Sequence, residues 1–160
     1  MPTRRQVVFS AVMIAVLAGP ARAGSDDTVL LTVTGPDIMR EYSCADFEAL
    51  GLESFSTTTI WSEGAEEFTG VSLSILLDSL DVQSGALSAK AINDYAVEIP
   101  VSDAVEGGPI IAFLRNGEEM SVRDKGPLWL IYPFDDNPDY QSEVIYSRSI
   151  WQLDRIEILP

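Results

Sequence analysis

The sequence predicts an α+β domain, and three observations carry that prediction. Short stretches that alternate apolar and polar residues, or that are dense in β-branched and aromatic ones, recur along most of the chain. A single clear helical repeat stands among them, with Leu73, Leu76, Leu77 and Leu80 at i, i+3, i+4 and i+7. Short helices and short strands are mixed irregularly, which argues for a curled, mostly antiparallel sheet and against a doubly wound parallel one.

The first element is an export leader. Arg4 and Arg5 form its positive end, Val7 to Ala18 its apolar run, and Ala21-Arg22-Ala23 a small-x-small cleavage site. The run of about twelve residues falls short of the roughly twenty that span a bilayer, and no later stretch comes close. Residues 1–23 are therefore expected to be a signal peptide and residues 24–160 a single domain working outside the cytoplasm. Thr3-Arg4-Arg5-Gln6-Val7-Val8 also approaches a twin-arginine signal, so both the general and the twin-arginine routes stay open.

Within the domain, Val29, Leu31 and Val33 alternate with polar or opposite-facing residues ahead of Gly35-Pro36, as in a strand that ends in a turn. Ser43, followed by Asp46 and Phe47 and closed by Gly51, predicts a short capped helix. Ser54 to Trp61 reads as a strand, and Ser72 opens the leucine helix. Strands are then expected at Ala89 to Ile92, Tyr95 to Ile99, Ile110 to Leu114 with a hairpin turn at Asn116-Gly117, Leu128 to Tyr132, and Ile150 to Leu159. Phe134 to Tyr146 reads as a long acidic loop.

Composition excludes several functions. The chain has 10 basic and 25 acidic residues, a formal charge of −15, and the leader takes Arg4, Arg5 and Arg22 with it. Phosphate backbones and anionic membranes are bound through clustered Lys and Arg, so neither nucleic acid nor direct membrane insertion is expected. The chain contains no histidine, which removes the commonest metal ligand and the usual base of a Ser or Cys triad. Cys44 is the one cysteine, so no internal disulfide can form and the core must supply the stability.

Four segments, in order, carry a resemblance. They are Phe68-Thr69-Gly70-Val71-Ser72-Leu73, Asn93 to Pro100, Gly126-Pro127-Leu128-Trp129-Leu130-Ile131-Tyr132-Pro133, and Ser149-Ile150-Trp151-Gln152-Leu153. Together they resemble the oxidoreductase molybdopterin-binding domain, the sulfite-oxidase-like fold, over nearly the whole domain. Enzymes of that family ligate molybdenum through a cysteine about a dozen residues before the Gly-Val-x-Leu segment. Here that stretch is Thr57-Thr58-Thr59, which offers no thiolate, and a soft thiolate is what holds and tunes the metal.

The chain is thus most similar to the small, cysteine-less periplasmic members of the fold. That resemblance implies a non-catalytic sensor that binds a pterin, such as a reduced monapterin-type molecule, without molybdenum. It implies as partner the periplasmic domain of an inner-membrane diguanylate cyclase/phosphodiesterase of cyclic-di-GMP signalling. The alternative is a molybdopterin-dependent oxidoreductase that has kept the cofactor without the usual cysteine.

A pterin asks for an aromatic face for its flat ring and for groups that satisfy its 2-amino-4-oxo edge, which a carboxylate can do in a charge-assisted pair. Asp94 and Asp135 are the candidate carboxylates, each beside aromatic residues at a strand end, with Asn93 and Tyr95 on the same segment as the first. Trp61, Tyr132 and Trp151 are the candidate stacking faces. Trp129, inside an apolar strand, belongs to the core. Arg148 is a candidate for the ligand carbonyl or for an ion pair with an acid such as Glu143.

Overall fold

The computed structural model describes residues 28–160; the expected leader lies outside the described residues. The elements are β1 (Leu31–Gly35), β2 (Ile38–Tyr42), α1 (Cys44–Leu50), β3 (Glu53–Thr57), β4 (Glu66–Ser72), α2 (Leu73–Ser79), β5 (Ala86–Ala91), β6 (Ala96–Pro100), β7 (Ile110–Arg115), β8 (Glu118–Glu119), β9 (Trp129–Ile131), α3 (Glu143–Arg148) and β10 (Leu153–Leu159). Single 3-10 turns lie at Val101–Asp103, Val122–Asp124 and Pro138–Tyr140. The domain is α+β, with few and short helices, as the sequence predicts.

The strands form two sheets in place of the one curled sheet expected. The first runs β2-β1-β10-β5-β6, and in it the parallel pair β1–β10 joins opposite ends of the domain at Val33↔Ile156. The second runs β3-β4-β7, and β8 and β9 share the far edge of β7. Every other pairing is antiparallel.

Period-2 burial builds the core between these layers. Leu31 and Val33 of β1, Leu87 and Ala89 of β5 and Ile156 of β10 join Phe68, Val71 and the whole of Ile110 to Phe113 in one apolar cluster. Each fully buried Leu, Ile or Val side chain contributes roughly 1.5–3 kcal/mol relative to exposure. A Cβ at Gly70 would run into the Ile111 carbonyl, so only glycine lets β4 approach β7 this closely.

Local chemistry explains most elements. Ser43 and Asp46 make a reciprocal capping box on α1, with the Ser43 N–H donating to Asp46 Oδ2 at 2.8 Å and the Asp46 N–H to Ser43 Oγ at 3.3 Å. On α2, Leu73, Leu76 and Leu77 are buried; Ser72 caps only by position, its hydroxyl being bonded to that of Ser74. Asn116 and Gly117, at φ 53° and 79°, form the tight turn between β7 and β8.

The sequence expectation lacked β2 and β4 and began β5 three residues late, at Ala89; three further differences have a local cause. The strand drawn from Ser54 to Trp61 stops at Thr57, because the hydroxyls of Thr59 and Ser62 turn the chain by accepting nearby N–H groups. The last strand begins at Leu153, since Gln152 is left-handed at φ 52° and Trp151 makes only an isolated bridge to Trp129. The end of the acidic loop belongs to α3, which runs on to Arg148 and is capped by Ser142, whose Oγ accepts the Ile145 N–H. Only Ile145 of that helix is buried, so no apolar period announces it. Among the described residues no helix is long and apolar enough to cross a membrane.

Candidate functional site

A cleft of about 410 Å³ opens where three segments meet. The β3–β4 connection supplies Trp61; the end of β5 and the turn to β6 supply Ala91, Asn93 and Tyr95; α3 and the chain into β10 supply Tyr146, Ser147, Ser149, Ile150, Trp151 and Gln152. The lining is mainly aromatic and apolar, with a few amides and hydroxyls, a composition suited to a flat organic ligand.

Trp61 is its organising side chain. Its ring lies 5.4 Å from Trp151 at 81°, 6.0 Å from Tyr146 at 82° and 5.8 Å from the buried Trp129 at 63°. Such edge-to-face contacts contribute beyond area burial and fix the rings against one another. The Trp61 backbone is set by its N–H donating to Thr59 Oγ1 at 3.1 Å. Trp151 is held by pairing: Leu130 N–H donates to the Ile150 carbonyl at 2.9 Å, and Trp129 Nε1 donates to that of Ser149 at 3.1 Å.

The opposite rim is an Asx-type turn, in which Asn93 Oδ1 accepts the Tyr95 N–H at 3.2 Å and Asp94 is left-handed at φ 66°. This leaves the Asn93 Nδ2 donors uncommitted among the described residues. Gln152 Nε2 donates to the Val122 carbonyl at 2.6 Å, leaving its Oε1 as an acceptor. The two amides thus present a donor and an acceptor at the cleft.

Of the eight residues singled out from sequence, the structure brings Trp61, Asn93, Tyr95 and Trp151 together in the cleft. The other four stand apart from its lining. Asp94 pairs with Arg155 at 2.6 Å. Tyr132 lies wholly in the core, and its hydroxyl donates to Asp103 at 2.9 Å. Burial, reinforced by the Asp103 charge, pushes the Tyr132 phenol far above its usual range. Arg148 pairs with the same Asp103 oxygen at 2.8 Å, so of its two expected roles, ligand carbonyl or ion pair, it takes the ion pair, with Asp103 in place of Glu143. Asp135 faces the β3 end, where it accepts both the hydroxyl and the N–H of Thr58. These two bonds hold its carboxyl below the ordinary carboxylate range. Trp129 is buried, as expected for a core residue.

The segment at which the resembled enzymes carry their metal ligand is closed by its own hydrogen bonds. Thr57 is buried, donating to the Thr58 carbonyl at 3.1 Å and accepting the Asp135 N–H at 3.1 Å; Thr59 bonds to Ser62 at 2.9 Å. Committed hydroxyls are poor ligands for a soft, thiolate-preferring metal. No group of three or more His, Cys, Asp or Glu among the described residues is placed to hold a metal ion. The donor set does not fit a molybdenum centre.

Sequence reasoning missed Tyr146, Ser147 and Gln152 in the cleft, and Lys125 against Trp151. Tyr146 ended the segment read as a loop, and Ser147 followed it outside any predicted element. The signals that could have found them were Ser142 as a cap three residues before Ile145, and the adjacency of Gln152 to Trp151.

No protein-family model matches the sequence, and no curated protein matches it. Among solved structures the chain is similar to the sulfane dehydrogenase SoxCD from Paracoccus pantotrophus, with 17% sequence identity and a TM-score of 0.62. The match covers 88% of this chain and 40% of that one, so the chain spans well under half of its neighbour's length. The likeness is one of fold, and it agrees with the distant molybdopterin-type fold to which the sequence motifs point.

Proposed function

We propose that this chain is a non-catalytic, periplasmic pterin-binding receptor whose occupancy regulates a membrane-bound cyclic-di-GMP signalling enzyme. The observation that carries the reading is the cleft walled by the contacting rings of Trp61 and Trp151 and edged by the Asn93 and Gln152 amides, on a domain whose Thr57 to Thr59 segment offers no thiolate. A bicyclic ring gains burial and edge or face contact from Trp61, Tyr95, Tyr146 and Trp151. The 2-amino-4-oxo edge, which presents donors beside an acceptor, is complementary to an amide pair in the same way. Asp94, paired with Arg155, holds the turn that carries Asn93 and Tyr95.

Regulation needs a partner that tells loaded from empty protein, and a coupling of about 1–3 kcal/mol would change partner affinity 5- to 150-fold. Helix α3 supports this reading, since Tyr146 and Ser147 line the cleft while Glu143 and Val144 are exposed. Ligand contact with Tyr146 would bias that helix and so the surface beside it.

The direct test is thermal unfolding with 7,8-dihydroneopterin or tetrahydromonapterin. At a hundredfold excess over Kd, binding should raise stability by about 2.7 kcal/mol. Absence of any shift with oxidised and reduced pterins alike would remove the reading. Elemental analysis of protein recovered from its native compartment addresses the alternative: stoichiometric molybdenum would favour an oxidoreductase.

A further inference from the structure

Lys125 ends the Val122–Asp124 turn at φ 74°, a left-handed conformation that a long side chain adopts at a cost. Two contacts hold it there. Its carbonyl accepts the Gln152 N–H at 2.9 Å, and Gln152, itself left-handed at φ 52°, donates from Nε2 to the Val122 carbonyl at 2.6 Å. The turn is thereby fastened to the residue that follows Trp151.

The fastening places a charge. Lys125 Nζ lies 5.4 Å from the Trp151 ring centroid and 5.7 Å from that of Trp129, inside the about 6 Å over which a cation and an indole attract. Lys125 belongs to none of the salt bridges among the described residues. The neighbouring Asp124 carboxylate accepts the Ser121 hydroxyl instead, at 3.1 Å. An ammonium without a carboxylate partner therefore rests against an indole that walls the cleft, without lining the cleft itself.

We infer that Lys125 sets the charge preference of the cleft, selecting neutral or anionic flat aromatic ligands over cationic ones. The inference rests on the reading of the cleft as a ring-binding site. An indole attracts a cation through its electron-rich face, and here the ammonium already uses that attraction. A second cation on the same ring also meets direct repulsion from Nζ across a poorly screening medium. A neutral electron-rich ring meets no such repulsion and stacks on an indole whose π density is drawn toward the ammonium.

The chain's overall charge of −15 acts in the opposite sense, drawing cations toward the domain. Distance decides between the two effects. Acidic groups more than a Debye length of about 8 Å from the cleft are screened at physiological salt, and the carboxylate beside it, Asp94, is paired with Arg155, whereas the unpaired Lys125 lies 5.4 Å from the ring of the Trp151 wall. The local charge governs selection and the global charge only the long-range approach.

The experiment compares quinoline with N-methylquinolinium, flat bicyclic probes that differ chiefly in charge, by tryptophan fluorescence quenching in 0.15 M salt. The wild-type protein should bind quinoline about tenfold more tightly. Lys125→Met should bring the ratio close to one, and Lys125→Arg, which keeps the charge, should preserve it. A preference unchanged in the Met variant, a preference lost equally in the Arg variant, or failure of both probes to bind the wild type would each overturn the inference. If the Met variant does not fold, the wild type still decides: a cationic probe bound as tightly as quinoline overturns it. Dihydroneopterin is titrated alongside, because its failure to bind while the quinoline pair is discriminated would remove the pterin reading and leave this one standing.

Discussion

Arg155 Nη2 stands 2.6 Å from Asp94 Oδ1 and 3.0 Å from the Ala91 carbonyl, so the Asp94 carboxylate secures the β5–β6 turn to β10 beside the cleft. Asp94 is also 80% exposed, in a pair that solvent screens. Asp94→Asn should therefore leave the thermal midpoint close to wild type and weaken pterin binding only a few-fold, through looser placement of Asn93 and Tyr95. Calorimetric titration checks this. A hundredfold loss at unchanged stability would mean that the carboxylate meets the ligand directly.

Asp103 ties together two side chains that the sequence had placed at the ligand. Its Oδ2 accepts from Tyr132 at 2.9 Å and from Arg148 at 2.8 Å. Tyr132→Phe removes one hydrogen bond to a charged group and should cost about 1.5 kcal/mol in denaturant unfolding. Arg148→Ala leaves a half-buried carboxylate without its counter-charge and should cost more, about 2–3 kcal/mol. Neither should change the affinity for a pterin more than a few-fold.

The reasons for what the sequence did and did not disclose are physical. Trp61, Asn93, Tyr95 and Trp151 were legible because aromatic and amide residues clustered at predicted strand ends, and strand ends are where a scaffold presents ligand contacts. The four residues outside the cleft were not, because a carboxylate, guanidinium or phenol looks the same in sequence whether its partner is a ligand or another side chain. Arg155, Asp103 and Thr58 are those partners, and they lie 61, 45 and 77 residues away along the chain. Helix α3 was hidden for a different reason: six residues with one buried side chain carry almost no periodic signal.

Alkaline pH should weaken the fold through the same Tyr132. Burial raises its pKa above the ordinary value of 10.0, and burial beside Asp103 raises that of Tyr140 as well. Below about pH 10 both states keep these protons, and the full stability is present. Above it the unfolded chain ionises while the folded Tyr132 phenol stays protonated, so stability falls as pH rises, by up to about 1.4 kcal/mol per pH unit for Tyr132, with Tyr140 acting in the same direction. In denaturant titrations from pH 8 to 11, Tyr132→Phe should show a shallower decline than the wild type.

At the acid end the sign reverses. The carboxyls of Asp135, held by Thr58, and of Asp46, held by Ser43, sit below their ordinary value of 3.8. Their contribution is present above that pH and is lost as pH falls through the folded values. Asp135→Asn should flatten the acid limb of the stability profile while leaving ring binding intact, since Asp135 faces the Thr57–Thr58 turn and not the cleft. A loss of pterin affinity at neutral pH in this variant would place a ligand contact at Asp135.

Trp61 and Trp151 should separate stability from binding. Trp151 is 37% exposed and touches the core through Trp129, so Trp151→Ala removes a cleft wall at a modest cost in stability, about 1 kcal/mol. Trp61 contacts the rings of Trp129, Phe134, Tyr146 and Trp151, so Trp61→Ala should cost about 2–3 kcal/mol as well as the ligand. Each change should weaken pterin binding by at least tenfold, because a flat ring loses one of its principal apolar contacts. The two rings are 5.4 Å apart, within the range where mutational effects stop being additive. The double variant should thus lose less binding energy than the sum of the single losses, since the second truncation opens a wall already breached. Fully additive losses would indicate that the ligand engages the two indoles independently, at separate places along the cleft.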